Sequence, residues 1–473
     1  MGVITSLPLY IAGESLDAQG ESPTINSLDG SQTLRVRTTS AGELRRALRF
    51  AAQSQEYLAT TTMAERIAVA RLVMREYRHY AEEVVWGLGK FRGIVSGDCR
   101  WMIKLLGQWA DELEAFVAAV WQLDQDFSRQ IIQGRQRLAQ LSYRSKGFAA
   151  FYSAATMDGP PLIAALCHGI LSGTHLIVRP SWRDTVTHFM FALLDQHQLG
   201  RYAQLVRWPS VSPQSSSLNQ QLIVHSPQAM IFCTDLSFAR LAAEAGLTTV
   251  AAINAKMKKY GTGLPLVIVT EHCNLVEAAE KIVRGACLGN GKFCLSHGPV
   301  LVAQSVYSAF KQLVIALAEA RRLEQGEESG KWDPEELPLL ARQLARFGGT
   351  LAAGKIGVEH MDLLIVSEVS PHSPCLWEEF SGTYLALIAY QHAGEACAIA
   401  QRSLGHNQRE AWTAVNVFGN AQEFREFAET IASYSFVAGG ITAIPQFLLP
   451  HQGSYFALDL MRRHCQESQE HAG

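Results

Sequence analysis

The chain has 473 residues, enough for two or three domains with a large core. Hydrophobic residues make up 48% and charged residues only 18%, which excludes extended disorder. With 41 basic and 44 acidic residues the formal charge is −3, so no bulk field favours binding to nucleic acid or acidic lipid. We therefore expect a globular protein that acts on a small molecule.

The nine cysteines show no repeated spacing and no CxxC pair. This pattern predicts free thiols in a reducing compartment, and the N-terminus does not resemble a secretory signal, so we expect a cytoplasmic protein. The longest apolar stretches, such as residues 436–450, contain Gly, Pro and Gln. They fall short of the roughly 20 apolar residues of a membrane span, and we predict none.

Along the chain, residues 41–125 carry apolar side chains at intervals of three and four, which predicts helices. Residues 130–144 lose this period. Further on, helix-sized segments alternate with short aliphatic or β-branched stretches that predict strands. These stretches are residues 148–153, 175–178, 228–232, 264–269, 299–302 and 362–366. The alternation predicts an α/β fold with βαβ units and mainly parallel sheets.

Cys294 lies in Gly289-Asn-Gly-Lys-Phe-Cys-Leu-Ser-His297, a Gly- and Asn-rich loop between a predicted helix and a predicted strand. Backbone N–H groups of such a loop can stabilise a thiolate, which makes Cys294 a candidate nucleophile. The alternative is a buried apolar cysteine, the more common environment for this residue. Local residues alone leave both interpretations open.

The order of segments resembles the aldehyde dehydrogenase superfamily from about residue 10 to about residue 460. Asn290-Gly-Lys-Phe-Cys294 is similar to the family's Gly-Gln-x-Cys loop. Residues 172–180 (SGTHLIVRP) resemble its Gly-Asn-x-Val-x-x-Lys-Pro strand, and residues 377–382 (WEEFSG) resemble its Glu-x-Phe-Gly-Pro turn. The resemblance implies that Cys294 is the nucleophile and that NAD or NADP is the cofactor.

The same resemblance assigns three cofactor-binding residues. Arg179 occupies the position of the lysine that holds the adenosine ribose or its 2′-phosphate, and it keeps the positive charge. Glu378 takes the position that binds the nicotinamide ribose, with Phe380 beside it. The alternatives are an ion pair between Arg179 and Asp184, and a solvated acidic turn at Glu378.

Lys259 stands where the family has its general-base glutamate. An ammonium with an ordinary pKa of about 10.4 cannot take a proton from water at neutral pH, so we expect the acyl group to pass to or from a thiol such as coenzyme A. If Lys259 meets Cys294, its charge should stabilise the thiolate and acidify the cysteine. Lys259 is therefore a candidate catalytic residue, and a surface lysine is the alternative.

Two further departures concern the oxyanion and the cofactor. Residues 154–162 contain no Asn, the residue that donates to the oxyanion in the family. The stretch 231–239 has Thr234 and Asp235 in place of the family's glycine-containing cofactor turn. Asp235 would repel a pyrophosphate or cap the following helix.

The resemblance also implies the architecture. We expect a helical and Rossmann-like cofactor domain in residues 1–250 with a small β arm at 130–146, and a catalytic α/β domain in residues 251–430. Residues 431–473 would form a C-terminal arm that joins copies into a homodimer or homotetramer.

Three functions are consistent with the sequence. The first is an NAD(P)-dependent oxidoreductase that acts on an aldehyde or acyl thioester through Cys294, in its sharpest form a CoA-acylating or acyl-thioester-reducing enzyme. The second is a catalytically impaired structural or regulatory subunit of the same fold, because three functional positions differ together. The third is a cysteine acyltransferase without redox chemistry. The retained Cys294 favours the first.

Overall fold

The structure is a computed structural model that describes residues 6–18, 22–132, 138–154, 158–210, 212–233, 235–260, 263, 265–325, 332–406, 411–441 and 456–468. Residues 442–450 of the apolar tail, residues 155–157 of the oxyanion stretch 154–162, and Thr234 of the cofactor turn lie outside these ranges.

The helices of the described residues are α1 (Ala41–Leu58), α2 (Met63–Glu76), α3 (Ala81–Arg92), α4 (Ser96–Ile132), α5 (Pro160–Ser172), α6 (His188–Gln196), α7 (Ser215–His225), α8 (Asp235–Glu244), α9 (Val250–Lys256), α10 (Leu275–Cys287), α11 (Tyr307–Gln325), α12 (Leu337–Phe347), α13 (Ala393–His406), α14 (Ala421–Thr430) and α15 (Phe456–Asp459). The predicted helical region 41–125 thus forms α1 to most of α4.

The strands are β1 (Ser6–Leu7), β2 (Leu9–Ile11), β3 (Glu14–Leu16), β4 (Thr24–Asn26), β5 (Thr33–Val36), β6 (Leu138–Ser145), β7 (Ala149–Tyr152), β8 (Leu176–Arg179), β9 (Ala203–Leu205), β10 (Gln228–Phe232), β11 (Met257–Tyr260), β12 (Pro265–Val269), β13 (Pro299–Ala303), β14 (Thr350–Ala353), β15 (Leu364–Ser367), β16 (Tyr384–Tyr390), β17 (Ala414–Phe418), β18 (Phe436–Ala438) and β19 (Met461–Ser468). Each predicted strand overlaps an observed one.

Two seven-stranded sheets organise the protein. The first has the order β11-β10-β7-β8-β9-β2-β3, and its five strands from β11 to β9 are parallel. The second has the order β14-β15-β16-β13-β12-β17-β18 and is parallel except for β14. The central strands are buried at every position, as expected when helices cover both faces of a parallel sheet. The predicted α/β fold is confirmed.

The two sheets divide the chain later than the predicted boundaries at residues 250 and 430. Strand β11 follows residue 250 but pairs with β10 in the first sheet, in the register Ile231 with Lys259. Strand β18 follows residue 430 but pairs with β17 in the second sheet. Each of these strands follows a helix and forms the edge of its sheet. No change in composition shows in the sequence to which sheet the strand belongs.

A separate two-stranded sheet joins β6 to β19 in antiparallel register, from Met461 opposite Ser145 to Ser468 opposite Leu138. The structure therefore brings together parts of the two segments predicted to form arms. Residues 130–132, which were predicted to begin the first arm, instead continue helix α4.

Among the described residues, no helix is long and apolar enough to cross a membrane.

Candidate active site

The loop that carries Cys294 starts with three consecutive residues in the left-handed backbone region. Helix α10 ends at Cys287, and Gly289, Asn290 and Gly291 follow with φ of 57°, 56° and 66°. Glycine adopts this conformation without the steric cost that a side chain brings, so the two glycines allow the sharp turn.

Two contacts from the helical N-terminal region hold this turn. The partly buried Asp98 carboxylate accepts a hydrogen bond from the Gly289 N–H at 2.8 Å. The Asn290 side chain, itself buried, donates to the Gly93 carbonyl. A tertiary contact thus maintains the left-handed conformation of Asn290. The loop that leads to Cys294 is held through the backbone of Gly289 and the side chain of Asn290.

Cys294 packs directly against the backbone of Gly263. A Cβ at Gly263 would lie 1.5 Å from the Cys294 carbonyl oxygen and 2.6 Å from the Cys294 Cβ, so only glycine fits there. Gly263 lies between β11 and β12, at the passage from the first sheet to the second. Cys294 is therefore placed where the two sheets meet.

The Cys294 thiol is partly buried, and this burial raises its pKa to about 12. The negative charge of Glu379 raises the pKa further. The expectation of an acidified cysteine is therefore contradicted, because desolvation penalises the thiolate and the neighbouring charge has the same sign. At neutral pH this thiol is protonated.

Lys259 lies on β11, and its positive charge lowers the pKa of Cys233 at the end of β10. Burial outweighs that effect and raises the pKa of Cys233 to about 11. The sequence could not show that the charge of Lys259 acts on Cys233, because this depends on the register between the parallel strands β10 and β11.

The side chains of Glu378 and Phe380 contact residues that lie near the second sheet. The Glu378 carboxylate forms an ion pair with Arg346 of α12 at 2.5 Å. Phe380 is buried, with its ring centroid 4.5 Å from that of Tyr384 and 5.8 Å from that of Phe347. The residue of this turn whose charge acts on Cys294 is Glu379, which the sequence comparison passed over.

Arg179 ends β8 and is almost completely buried. Its Nη2 donates to the Trp208 carbonyl at 3.0 Å and to the Ser210 hydroxyl at 3.2 Å, and the guanidinium lies 5.7 Å from the Trp208 ring centroid. Burial lowers its pKa to about 10, so it remains charged at neutral pH. The alternative of an ion pair with Asp184 is not among the contacts observed for Arg179.

A cleft of about 340 Å³ opens beside the Cys loop, within the size range of small-molecule pockets. Its walls carry Arg92, Arg183 and Lys292 together with Asp333 and Glu336. Arg183 pairs with Asp333 at 2.5 Å and Lys292 with Glu336 at 3.2 Å. Apolar side chains such as Leu28, Phe91, Leu339 and Leu340 line the rest of the cleft, and its opposite charges are largely matched.

The profile of the aldehyde dehydrogenase family matches residues 15–335, more than half of the chain. The chain belongs to this family. It is an oxidoreductase of the aldehyde dehydrogenase type with NAD or NADP as cofactor, as predicted, and no comparison favours the structural-subunit alternative.

Solved structures of other enzymes share the fold over almost the whole length. Lactaldehyde dehydrogenase from Escherichia coli has a TM-score of 0.80 at 15% identity, with coverage of 99% of this chain and 100% of that chain. An NAD-dependent aldehyde dehydrogenase from Sinorhizobium meliloti has 0.79 at 16%, with 98% and 95% covered. An NADP-dependent enzyme from E. coli has 0.78 at 14%, with 98% of each covered. A search by sequence among curated proteins found no match.

The carboxyl edge of the first sheet fits a bound NAD or NADP in this aldehyde dehydrogenase. Arg179 brings a positive charge to the carboxyl edge of the parallel strands, and its buried Nε has no hydrogen-bond partner among the described residues. Helix α8 begins at Asp235 directly after β10, on the same edge. Dinucleotides bind at this edge of doubly wound sheets.

Proposed function

We propose that Cys294 is the nucleophile of this aldehyde dehydrogenase and forms a covalent bond to the carbonyl carbon of an aldehyde or acyl thioester. The observation that carries the proposal is the position of Cys294 between the two sheets, fixed by the left-handed turn of residues 289–291 and by contact with Gly263. A nucleophile needs such restraint, because a misplacement of about 1 Å costs about 10²-fold in rate.

We further propose that the acyl group leaves Cys294 for a thiol, in the manner of a CoA-acylating enzyme. The support is Lys259, which replaces the carboxylate that would activate water and whose charge acts at Cys233. A thiol with a pKa of about 8.5 gives up its proton far more readily than water with a pKa of about 15.7, so a thiol acceptor makes a smaller demand on a base.

NAD or NADP, when bound, supplies the acceptor for the hydride from the substrate carbon. We assign Arg179 to the adenosine end, where its charge and its buried Nε donor suit a ribose hydroxyl or a 2′-phosphate. Glu378 and Phe380 remain candidates for the nicotinamide end, and Glu378 would have to exchange its ion pair with Arg346 to reach a ribose.

One experiment tests the nucleophile and the acceptor together. The purified protein is given a panel of aldehydes with NAD or NADP, with and without coenzyme A, and acyl-CoA and free acid are both quantified. We expect acyl-CoA to exceed free acid, and Cys294→Ala to abolish both products, since the covalent route is lost.

Wild-type turnover by Cys294→Ala would contradict the nucleophile assignment. Free acid as the main product in the presence of coenzyme A would contradict the thiol acceptor and leave the nucleophile assignment intact.

We also propose a cytoplasmic location and a homodimeric or homotetrameric assembly. The described cysteines are free thiols, which suits a reducing compartment. The two-stranded sheet of β6 and β19 supports the assembly, because two strands alone are only marginally stable in water.

A further inference from the structure

We propose that the cleft beside the Cys loop binds a carboxylate of the substrate, so that the enzyme acts on aldehydes or acyl thioesters that carry an acidic group at their far end. This inference rests on the proposed role of Cys294 as nucleophile. It names a substrate class and assigns its recognition to Arg183 and Lys292, two cations that have no role in the reaction proposed at Cys294.

Lys292 connects the cleft to the nucleophile. It lines the cleft and precedes Cys294 by two residues, which keeps the two Cα atoms within about 7 Å of each other. Ser381, which also lines the cleft, is next to Gly382. A Cβ at Gly291 of the Cys loop would lie 2.3 Å from the Gly382 carbonyl oxygen. A small molecule held at this wall therefore lies near the Cys loop.

The Lys292 side chain is held against the wall of the cleft and is only 15% exposed. Its Nζ lies 4.2 Å from the centroid of the Trp332 ring and donates to the Glu336 carboxylate at 3.2 Å. An ammonium has three N–H donors, so the bond to Glu336 leaves donors for a ligand. Burial lowers the pKa of Lys292, and a second anionic partner would therefore stabilise its charged form.

Arg183 supplies the second cation. Among the described residues its guanidinium bonds to Asp333 through Nη1, at 2.5 Å, which leaves the hydrogens of Nε and Nη2 for a ligand. Asp333 and Glu336 belong to one turn, closed by the Glu336 N–H, which donates to the Asp333 carbonyl at 2.9 Å. Their partners Arg183 and Lys292 therefore converge on the same turn.

The charge balance of the walls favours a carboxylate over a phosphate. Among the described residues that line the cleft, basic side chains outnumber acidic ones by one: they are Arg92, Arg183 and Lys292 against Asp333 and Glu336. Arg92 also lies 3.3 Å from the buried carboxyl of Asp158, whose pKa of about 8 keeps it mainly protonated at neutral pH. One net positive charge matches one carboxylate. A phosphate carries a charge of about −1.5 to −2 and would be repelled more strongly by the two acids.

The size and the apolar walls of the cleft indicate the rest of the ligand. A volume of about 340 Å³ is at the lower end of the range for small-molecule pockets and is too small for a dinucleotide. Leu28, Phe91, Leu339 and Leu340 offer apolar surface beside the cations. These features suit a short aliphatic chain that ends in a carboxylate.

The kinetic test uses straight-chain aldehydes of four to six carbons and, for each, the counterpart with a carboxylate at the far end. With NAD or NADP present, we expect kcat/KM to be about 10–100-fold higher for the carboxylated aldehydes, because they gain hydrogen bonds to charged groups. Lys292→Gln and Arg183→Gln should each lower this ratio about tenfold. Gln is the residue of the Gly-Gln-x-Cys loop that residues 290–294 resemble, so Lys292→Gln should preserve the loop. Lys292→Arg keeps the charge and should retain part of the preference.

Two exposed cations outside the cleft provide matched controls. Lys104→Gln on α4 and Arg425→Gln on α14 should leave the ratio at the wild-type value. A calorimetric titration then measures binding without turnover. Pentanoate should bind the wild type more tightly than 1-pentanol, and its affinity should fall in Lys292→Gln and at high salt.

Equal kcat/KM for neutral and carboxylated aldehydes in the wild type overturns this inference and leaves the role of Cys294 intact. The same holds if Lys292→Gln and Arg183→Gln slow both kinds of aldehyde equally, since these cations would then only support the structure. Pentanoate that binds no more tightly than 1-pentanol also overturns it. A protein that turns over no aldehyde and no acyl thioester refutes the proposed function instead, and the titration still decides whether the cleft binds a carboxylate.

Discussion

Asp158 is a buried carboxyl group in an unusually polar part of the interior. It precedes helix α5, accepts a hydrogen bond from Ser181 at 2.8 Å and lies 3.3 Å from Arg92 Nε. Burial raises its pKa to about 8, Asp184 adds to the rise, and Arg92, Ser181 and Arg207 oppose it. A neutral Asp158 is therefore the form that the folded protein favours at neutral pH.

This shift predicts a pH-dependent stability. The folded pKa of Asp158 is raised above the unfolded value of about 3.9, so its contribution is fully present below pH 4 and is lost as the pH rises to about 8. Asp158→Asn cannot ionise and should become more stable relative to wild type between pH 5 and pH 8.5. Thermal unfolding at a series of pH values measures the difference.

The exposed Asp17→Asn variant is the control and should follow the wild-type curve at every pH. Parallel curves for wild type and Asp158→Asn would show that this carboxyl does not titrate between its unfolded and folded values.

At the level of elements, the contact between the Cys loop and the turn at residues 378–382 depends on Gly291. Its φ is +66°, and a Cβ there would meet the Gly382 backbone. Gly30 is a matched position with φ of +68° and no atom within 4 Å of an added Cβ. The two glycines share the left-handed backbone and differ in whether a methyl group has space.

We therefore expect Gly30→Ala to cost about 1–2 kcal/mol of unfolding free energy, the strain of a left-handed alanine. Gly291→Ala should cost more and should also lower turnover, because either the Gly382 backbone or the loop that carries Cys294 must move. Urea unfolding and steady-state kinetics of both variants measure these effects. Equal stability losses and wild-type turnover in Gly291→Ala would show that the contact is not needed for activity.

For the whole molecule, the arm of β6 and β19 bears on assembly. We expect light scattering to give the mass of a dimer or tetramer. Deletion of residues 461–473 removes β19 and leaves β6 unpaired, so it should shift the mass toward the monomer. Deletion of residues 469–473 alone, which retains β19, is the control. An unchanged mass after the longer deletion would show that this arm does not join the copies.

Much of the molecule was determined by the sequence alone. The alternation of apolar stretches with helical segments predicts the parallel strands β7, β8, β10, β12, β13 and β15, because burial on both faces leaves a continuous apolar signal. The stretches of β16 and β17 carry the same signal and could have been assigned from it. The order of the motifs around Cys294 also predicts the aldehyde dehydrogenase family, which the profile match confirms.

Tertiary structure decided which charges act on the pKa of which thiol. Glu378 and Glu379 are adjacent and chemically alike, yet Glu378 pairs with Arg346 while the charge of Glu379 raises the pKa of Cys294. Lys259 acts at Cys233 because β11 pairs with β10. Local sequence encodes the burial pattern of a segment, whereas the partner of a charge and the desolvation that sets a pKa depend on residues far away in the chain.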